Sequence, residues 1–536
     1  MRRILSVVAA LALVASTVVP GVAVAQSTPQ EFTANVLQGE PDNVDPQAAS
    51  FATEVAVILQ NFEPLLTMDA QLRPQPGSAQ SWDISADGRV WTFRLWPGMR
   101  FSDGTPVTAS NFVYSMQRLL NPRLAAEYAS FFVDAGIVGA AEYNSGQAGA
   151  DALGVRALDD LTVEFTLKQP VGFFPSLMTL WVTSPVKLDV PIDNSSWAAD
   201  PSTYIGNGPF MMTEWVHQDR IVFGQNPYYV GARPRLNRLT FLMVTDGTAD
   251  YAAYLAGERD AALVPDANVR SVLADPFLSQ EARQYTELTT FWLNINTERS
   301  PLNNGLVRKA FARALDREAY INDISQGVGR PTTGIIPPGM PGFDPNAGSD
   351  LSFNPASARE LLAAAGYSNG TGFPSVTFKY SSNTANQRRA EFIQAQLKQN
   401  LNVNIVLTPQ ESKAYQADFK AKNFDMTFGG WGADYPDPQN WYGTLFTCKG
   451  GNNKYNYCNP SLDQLVARAD QTTDQDLRSE LYSQAQNIVL NDLPVVPIFV
   501  RGRMVVVKPY IQGLTITAQD QWPGSYFYDE VSVLPH

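Results

Sequence analysis

The chain has 536 residues, 44% of them hydrophobic, with two cysteines, two histidines and a formal charge of −13. That length exceeds what one core of roughly 100–200 residues organises, so two or three domains are expected. The acidic balance argues against nucleic acid and anionic membrane as partners, because both reward Lys/Arg patches.

The N-terminus reads Met1-Arg2-Arg3, an apolar run from Ile4 to Val19, then Ala23-Val24-Ala25 before Gln26. This charged, apolar, small-residue order predicts a secretory signal over 1–25, and its removal takes the charge to −15. Arg2-Arg3 also fits twin-arginine export, though two basic residues are the ordinary start of a Sec signal. No later stretch reaches the roughly 18 uninterrupted apolar residues of a membrane span. No cysteine stands at the cleavage point to carry a lipid, so a protein free in the periplasm is expected.

Strand and helix patterns alternate along the mature chain. Val90–Leu95 alternates as a half-buried strand, followed by a Ser102–Pro106 turn and a helical pattern over Ala109–Leu120. Strand patterns recur at Thr162–Leu167, Arg220–Phe223 and Leu239–Val244. Helical patterns cover Asp250–Leu255, Leu306–Asp316, Pro355–Ala365, Asn386–Gln399 and Gln475–Leu490. Asn354 before Pro355 gives an N-cap with proline at the first helical position, and Gly366 gives the stop. Mixed order with short connections predicts α/β layers. No low-complexity linker divides the chain, so domains built from discontinuous segments are expected.

Cys448 and Cys458 flank a Gly/Asn-rich loop, and in an oxidising compartment they are expected to form a disulfide. A zinc site needs more ligands than these, and the only histidines are His217 and His536; no metal and no cofactor are expected. A secreted hydrolase finds little support. There is no Gly-x-Ser-x-Gly elbow and no His-Glu-x-x-His, and His217, in a strand-like pattern, is the sole candidate base. Asp434 and Asp437 could pair as catalytic carboxylates, but Asp437 lies between two prolines and reads as a turn residue.

Several strings, read together and in order, resemble one family. They include Gly39-Glu40-Pro41-Asp42, Asn61-Phe62-Glu63-Pro64-Leu65-Leu66, Trp91-Thr92-Phe93-Arg94-Leu95, Phe101-Ser102-Asp103-Gly104-Thr105-Pro106, Gly206-Asn207-Gly208-Pro209-Phe210 and Asn226-Pro227-Tyr228-Tyr229. Asn459-Pro460-Ser461-Leu462-Asp463 and Leu493-Pro494-Val495-Val496-Pro497 continue the match towards the C-terminus. This pattern is similar to the family 5 extracellular solute-binding proteins, the peptide- and nickel-binding components of ABC importers. The resemblance implies a two-lobed, type II periplasmic-binding-protein-like α/β fold with an additional domain inserted in the first lobe. On that reading lobe 1 comprises 26–72, 187–289 and 505–536, the inserted domain 73–186, and lobe 2 290–504. The lobes would be joined near Thr290-Phe291-Trp292 and Arg501–Val506, allowing hinge closure.

The expected ligand site follows the strand Phe424–Phe428. Gly429–Pro438 reads as a Gly/Pro-rich loop, and loops at strand ends are where open α/β sheets hold ligands. Gly430, Gly432 and Ala433 would let a peptide's backbone approach as a neighbouring strand does, with Trp431 walling a side-chain pocket. In oligopeptide-binding relatives the Gly-Trp-x-Ala-Asp string supplies an aspartate for the ligand's α-amino group, which implies that role for Asp434. The plainer alternative has Asp434 capping the loop and Trp431 packing in a core. Tyr128 resembles a tyrosine that approaches the same end of the ligand from the inserted domain. Phe428 stands where close relatives have an arginine, which leaves the peptide's carboxylate end unassigned; Arg388, Arg389, Lys420 and Lys422 are nearby in sequence but read as surface charges. The implied partners are a short peptide and the transmembrane subunits of an ABC permease, with the protein a monomer. A dipeptide, an opine, an oligosaccharide or a nickel chelate remains an alternative ligand, since fold alone does not choose.

Overall fold

Two runs rich in β-branched and aromatic residues, Ala282–Ile295 and Val495–Val507, form long strands that are buried along most of their length. They pair antiparallel from Ala282↔Val506 to Asn294↔Val495, with an irregularity between Thr286 and Thr290. These strands occupy the middle of one 11-stranded sheet in the computed structural model, which describes residues 28–520 and 522–536. The expected signal peptide at 1–25 lies outside the described residues.

On one side of the central pair the sheet continues through Met426–Gly432, Val376–Ser381 and Ile405–Gln410. On the other it continues through Ala261–Leu263, Glu31–Ala34, Arg238–Leu242, Arg220–Gln225 and Phe210–Val216. The molecule is therefore a two-lobed α/β protein whose lobes share a sheet through two strands. At the irregularity the backbone is held by charge: Glu287, 3% exposed, pairs with both Arg501 and Arg503 from the facing strand.

The inserted domain has its own antiparallel sheet, ordered Ala79–Ile84, Val90–Leu95, Thr162–Thr166, Val155–Asp159. Alternation puts Trp91, Phe93 and Leu95 on the buried face, where Phe93 meets Phe165 edge-on at 5.7 Å. The helix Ala109–Leu119 covers this sheet and starts in a capping box between Thr108 and Asn111.

Local chemistry sets most helix ends as read from the sequence. Asn354 accepts from Ser357 N at 3.0 Å to begin Pro355–Ala364, and Gly366 adopts φ +97 just beyond it. The pattern over Leu306–Asp316 overruns the helix end by two residues: the helix is Gly305–Ala314, and Asp316 caps the next helix through Ala319 N. Asp is a better cap than an interior helix residue, because its carboxylate satisfies an otherwise orphaned N–H.

Candidate functional site

The strand Met426–Gly432 is longer than the sequence pattern predicts. Gly429, Gly430, Trp431 and Gly432 continue it instead of opening the loop, because each pairs with the central strand as far as Thr289↔Gly432. Tertiary pairing here overrides the weak strand preference of glycine. A Cβ on Gly430 would lie 2.6 Å from the carbonyl oxygen of Thr290, so close packing on that strand already requires glycine. On its other edge the strand pairs only at Met426 and Thr427, and among the described residues no strand partner continues beside Phe428–Gly432. An extended peptide could therefore add to that edge.

The loop proper begins at Ala433, whose N–H bonds to Leu288 O at 2.9 Å. Asp434 follows. Asn440, fully buried on the short helix Gln439–Trp441, organises this corner. Its Oδ1 accepts from Asp434 N at 3.0 Å and from Trp431 Nε1 at 2.9 Å, while its Nδ2 donates to Asp434 Oδ2 at 3.0 Å. The other carboxylate oxygen accepts from Tyr128 Oη at 3.1 Å. Burial pushes the Asp434 carboxyl above its usual range, although the hydrogen bonds from Asn440 and Tyr128 pull the other way. No Lys, Arg or His pairs with Asp434 among the described residues.

Tyr128 is buried against Trp181, ring centroids 4.7 Å apart, so its hydroxyl has a fixed direction. Tyr435 stacks on Phe173 and meets Phe131 edge-on at 5.6 Å; a lobe 2 residue thus packs against the inserted domain. Asp437 hydrogen-bonds Gln439 N at 2.9 Å, as its turn position predicts. It also holds the guanidinium of Arg478 through two bonds of 2.9 and 2.8 Å, an ion pair that the sequence did not announce.

Two cavities meet at Asp434. The larger, about 800 Å³, runs between the inserted domain and lobe 2, with Tyr128, Trp431 and Asp434 in its wall. The smaller, about 110 Å³, includes Gly432, Ala433, Asp434 and Tyr128 with the aromatic residues Trp181 and Trp522. Of the expected ligand residues, Tyr128, Trp431, Gly432, Ala433 and Asp434 come together on these walls. Gly430 and Phe428 lie outside both linings. Phe428 stacks on Phe291 at 5.5 Å, and the Arg389 guanidinium sits 5.4 Å from its ring centre. Arg389, read as a surface charge, is therefore half-buried and ordered by an aromatic face.

Cys448 and Cys458 form a disulfide with Cα atoms 4.4 Å apart, and residues 449–452 of the loop it closes form part of the larger cavity's rim. His217 sits in a turn after the strand Phe210–Val216, not within a strand, with Nδ1 2.8 Å from Glu40 and outside both cavities. No cluster of metal-ligating side chains occurs among the described residues. Asn440 and Arg478 are the functional neighbours that sequence reasoning missed; an asparagine six residues past an aspartate carries no signal of its own.

A sheet shared by two lobes, with a cavity lying where the inserted domain meets the second lobe, is the architecture of a two-lobed solute-binding protein. The chain belongs to the bacterial extracellular solute-binding proteins, family 5 Middle, whose profile matches residues 73–453. It is 33% identical over 487 residues to the periplasmic oligopeptide-binding protein OppA of Salmonella typhimurium, covering 89% of this chain and 88% of the relative. It is 30% identical over 507 residues to the probable deoxycholate-binding periplasmic protein YgiS of Escherichia coli, covering 94% and 93%. The fold is similar to the unliganded open form of the murein tripeptide-binding protein MppA, with a TM-score of 0.83, 29% identity and coverage of 95% and 98%. The chain is a binding protein, not an enzyme.

Proposed function

We propose that this protein captures short peptides in the periplasm by gripping their α-ammonium on Asp434, and delivers them, as a monomer, to the transmembrane subunits of an ABC permease. Asp434 carries the reading: a half-buried carboxylate, oriented by Asn440 and Tyr128, lines a cavity and has no cation of its own among the described residues. A carboxylate placed this way gains most from a ligand that brings the positive charge. The unpaired edge of Gly429–Gly432 supports the same ligand class, since its N–H and C=O groups can bond any peptide backbone without reading side chains. Oligopeptide binding by OppA adds weight. An anionic ligand such as deoxycholate would bring its carboxylate towards Asp434, where like charges repel.

Calorimetry with a tripeptide and its N-acetylated form tests this. The free amine is expected to bind at least about 100-fold more tightly, the scale of a buried charge pair losing one member. Asp434→Asn is expected to abolish that difference. Equal affinity for both forms in the native protein would refute the role of Asp434.

A further inference from the structure

We infer that the larger cavity favours peptides carrying a lysine or arginine side chain, an inference that rests on the peptide reading above. Two helices line the cavity, that of lobe 2 with residues at the i, i+3, i+4, i+7 spacing of one helical face and that of the inserted domain with three such residues and a fourth in the turn before it. On the inserted domain these are Glu127, Ser130, Phe131 and Asp134, at and just before the helix Ala129–Asp134. On lobe 2 they are Asp463, Val466, Ala467 and Asp470 of the helix Pro460–Gln471. Each face has an acid at both ends and less polar residues between them.

Two of these four acids are already engaged. Asp463 accepts from Cys448 N at 2.9 Å. Asp470 accepts from the Tyr482 hydroxyl and lies near Arg478, whose guanidinium is committed to Asp437. Glu127 and Asp134 have no side-chain hydrogen bond or ion pair among the described residues, and both are exposed residues of the lining. Lys449, on the disulfide-closed rim, is the one cationic residue in the lining among the described residues. Five acidic side chains, counting Asp434, thus share the lining with one ammonium, and the two without partners, Glu127 and Asp134, give the cleft a negative charge that concentrates cations.

The order of groups on each face also suits a long cation. A lysine or arginine stem can lie along Phe131 and Ala467 while its head reaches Asp134 or Glu127, combining apolar contact with charge pairing. Asp434 fixes the peptide's amino end, so the acidic faces read a side chain and act as specificity determinants separate from the anchor.

The test uses the mature protein and alanine tripeptides in which one residue at a time is lysine, norleucine or glutamate. At one position or more, lysine is expected to bind about tenfold more tightly than norleucine, the scale of a hydrogen bond to a charged group, with glutamate weakest. The advantage should shrink at high ionic strength, because the outer carboxylates are open to solvent. Glu127→Gln combined with Asp134→Asn should remove the advantage and leave norleucine affinity within about twofold. Both side chains are exposed, so a thermal melt of the double variant should match the native protein. Peptides bound equally well with lysine or norleucine at every position would overturn the selectivity while leaving the peptide reading intact. An advantage that survives the double substitution would overturn it too, and failure of every peptide to bind would overturn both.

Discussion

Asp434 and Asp437 lie three residues apart in one loop, the first half-buried and the second buried, yet the protein treats them oppositely. Asp437 faces lobe 2 and receives a cation from its own chain, Arg478, in a two-point pair whose members are each about 5% exposed. Asp434 faces the cavity and receives hydrogen bonds from Asn440 and Tyr128 but no cation. A paired charge holds a fold together, whereas a desolvated charge without a counter-ion is a cost that only a ligand offsets. The loop therefore ties one carboxylate to structure and leaves the other for binding.

The largest effect should come from breaking the structural pair. Asp437→Asn leaves Arg478 buried without its counter-charge, and a loss of about 3–5 kcal/mol is expected in urea unfolding. Asp434→Asn should do the reverse. It relieves a desolvated charge, so stability should hold or rise, while affinity for free peptides falls by the factor given above. If both substitutions destabilise equally, the contrast between the two carboxylates is wrong.

A smaller effect is expected with pH. Burial raises the Asp434 carboxyl, so the stability tied to its protonated form is full below the unfolded value near 4 and is lost as pH rises through the folded value. Asp470, raised to about 7 by burial, adds loss in the same direction up to neutrality. Peptide affinity should move oppositely, increasing as Asp434 ionises, with proton release visible by calorimetry in buffers of different ionisation enthalpy. Affinity that stays flat as pH rises from 4 would contradict an ammonium held by this group. Smallest of all, Tyr128→Phe removes one hydrogen bond to Asp434 and should weaken binding only a few-fold, about 1 kcal/mol, with the ring still packed on Trp181.

Much of this was legible before folding. Val90–Leu95 and Pro355–Ala364 follow from alternation, capping and a glycine stop, all of which act over a few residues. The Gly-Gly-Trp-Gly segment was misread as loop because its strand character comes from the neighbour it pairs with, not from its own residues. Phe428 was legible as a departure from the relatives, but the placement of Arg389 over its ring was not.

By itself, the sequence determined the family, the order of elements, the disulfide pairing and the candidacy of Asp434, because those depend on local energetics and on strings held close along the chain. Only the tertiary structure decided which carboxylate would have a cation. Tyr128 reaches Asp434 across 306 positions and Arg478 reaches Asp437 across 41. The sign and number of charges surrounding a buried group are set by what distant segments bring to it.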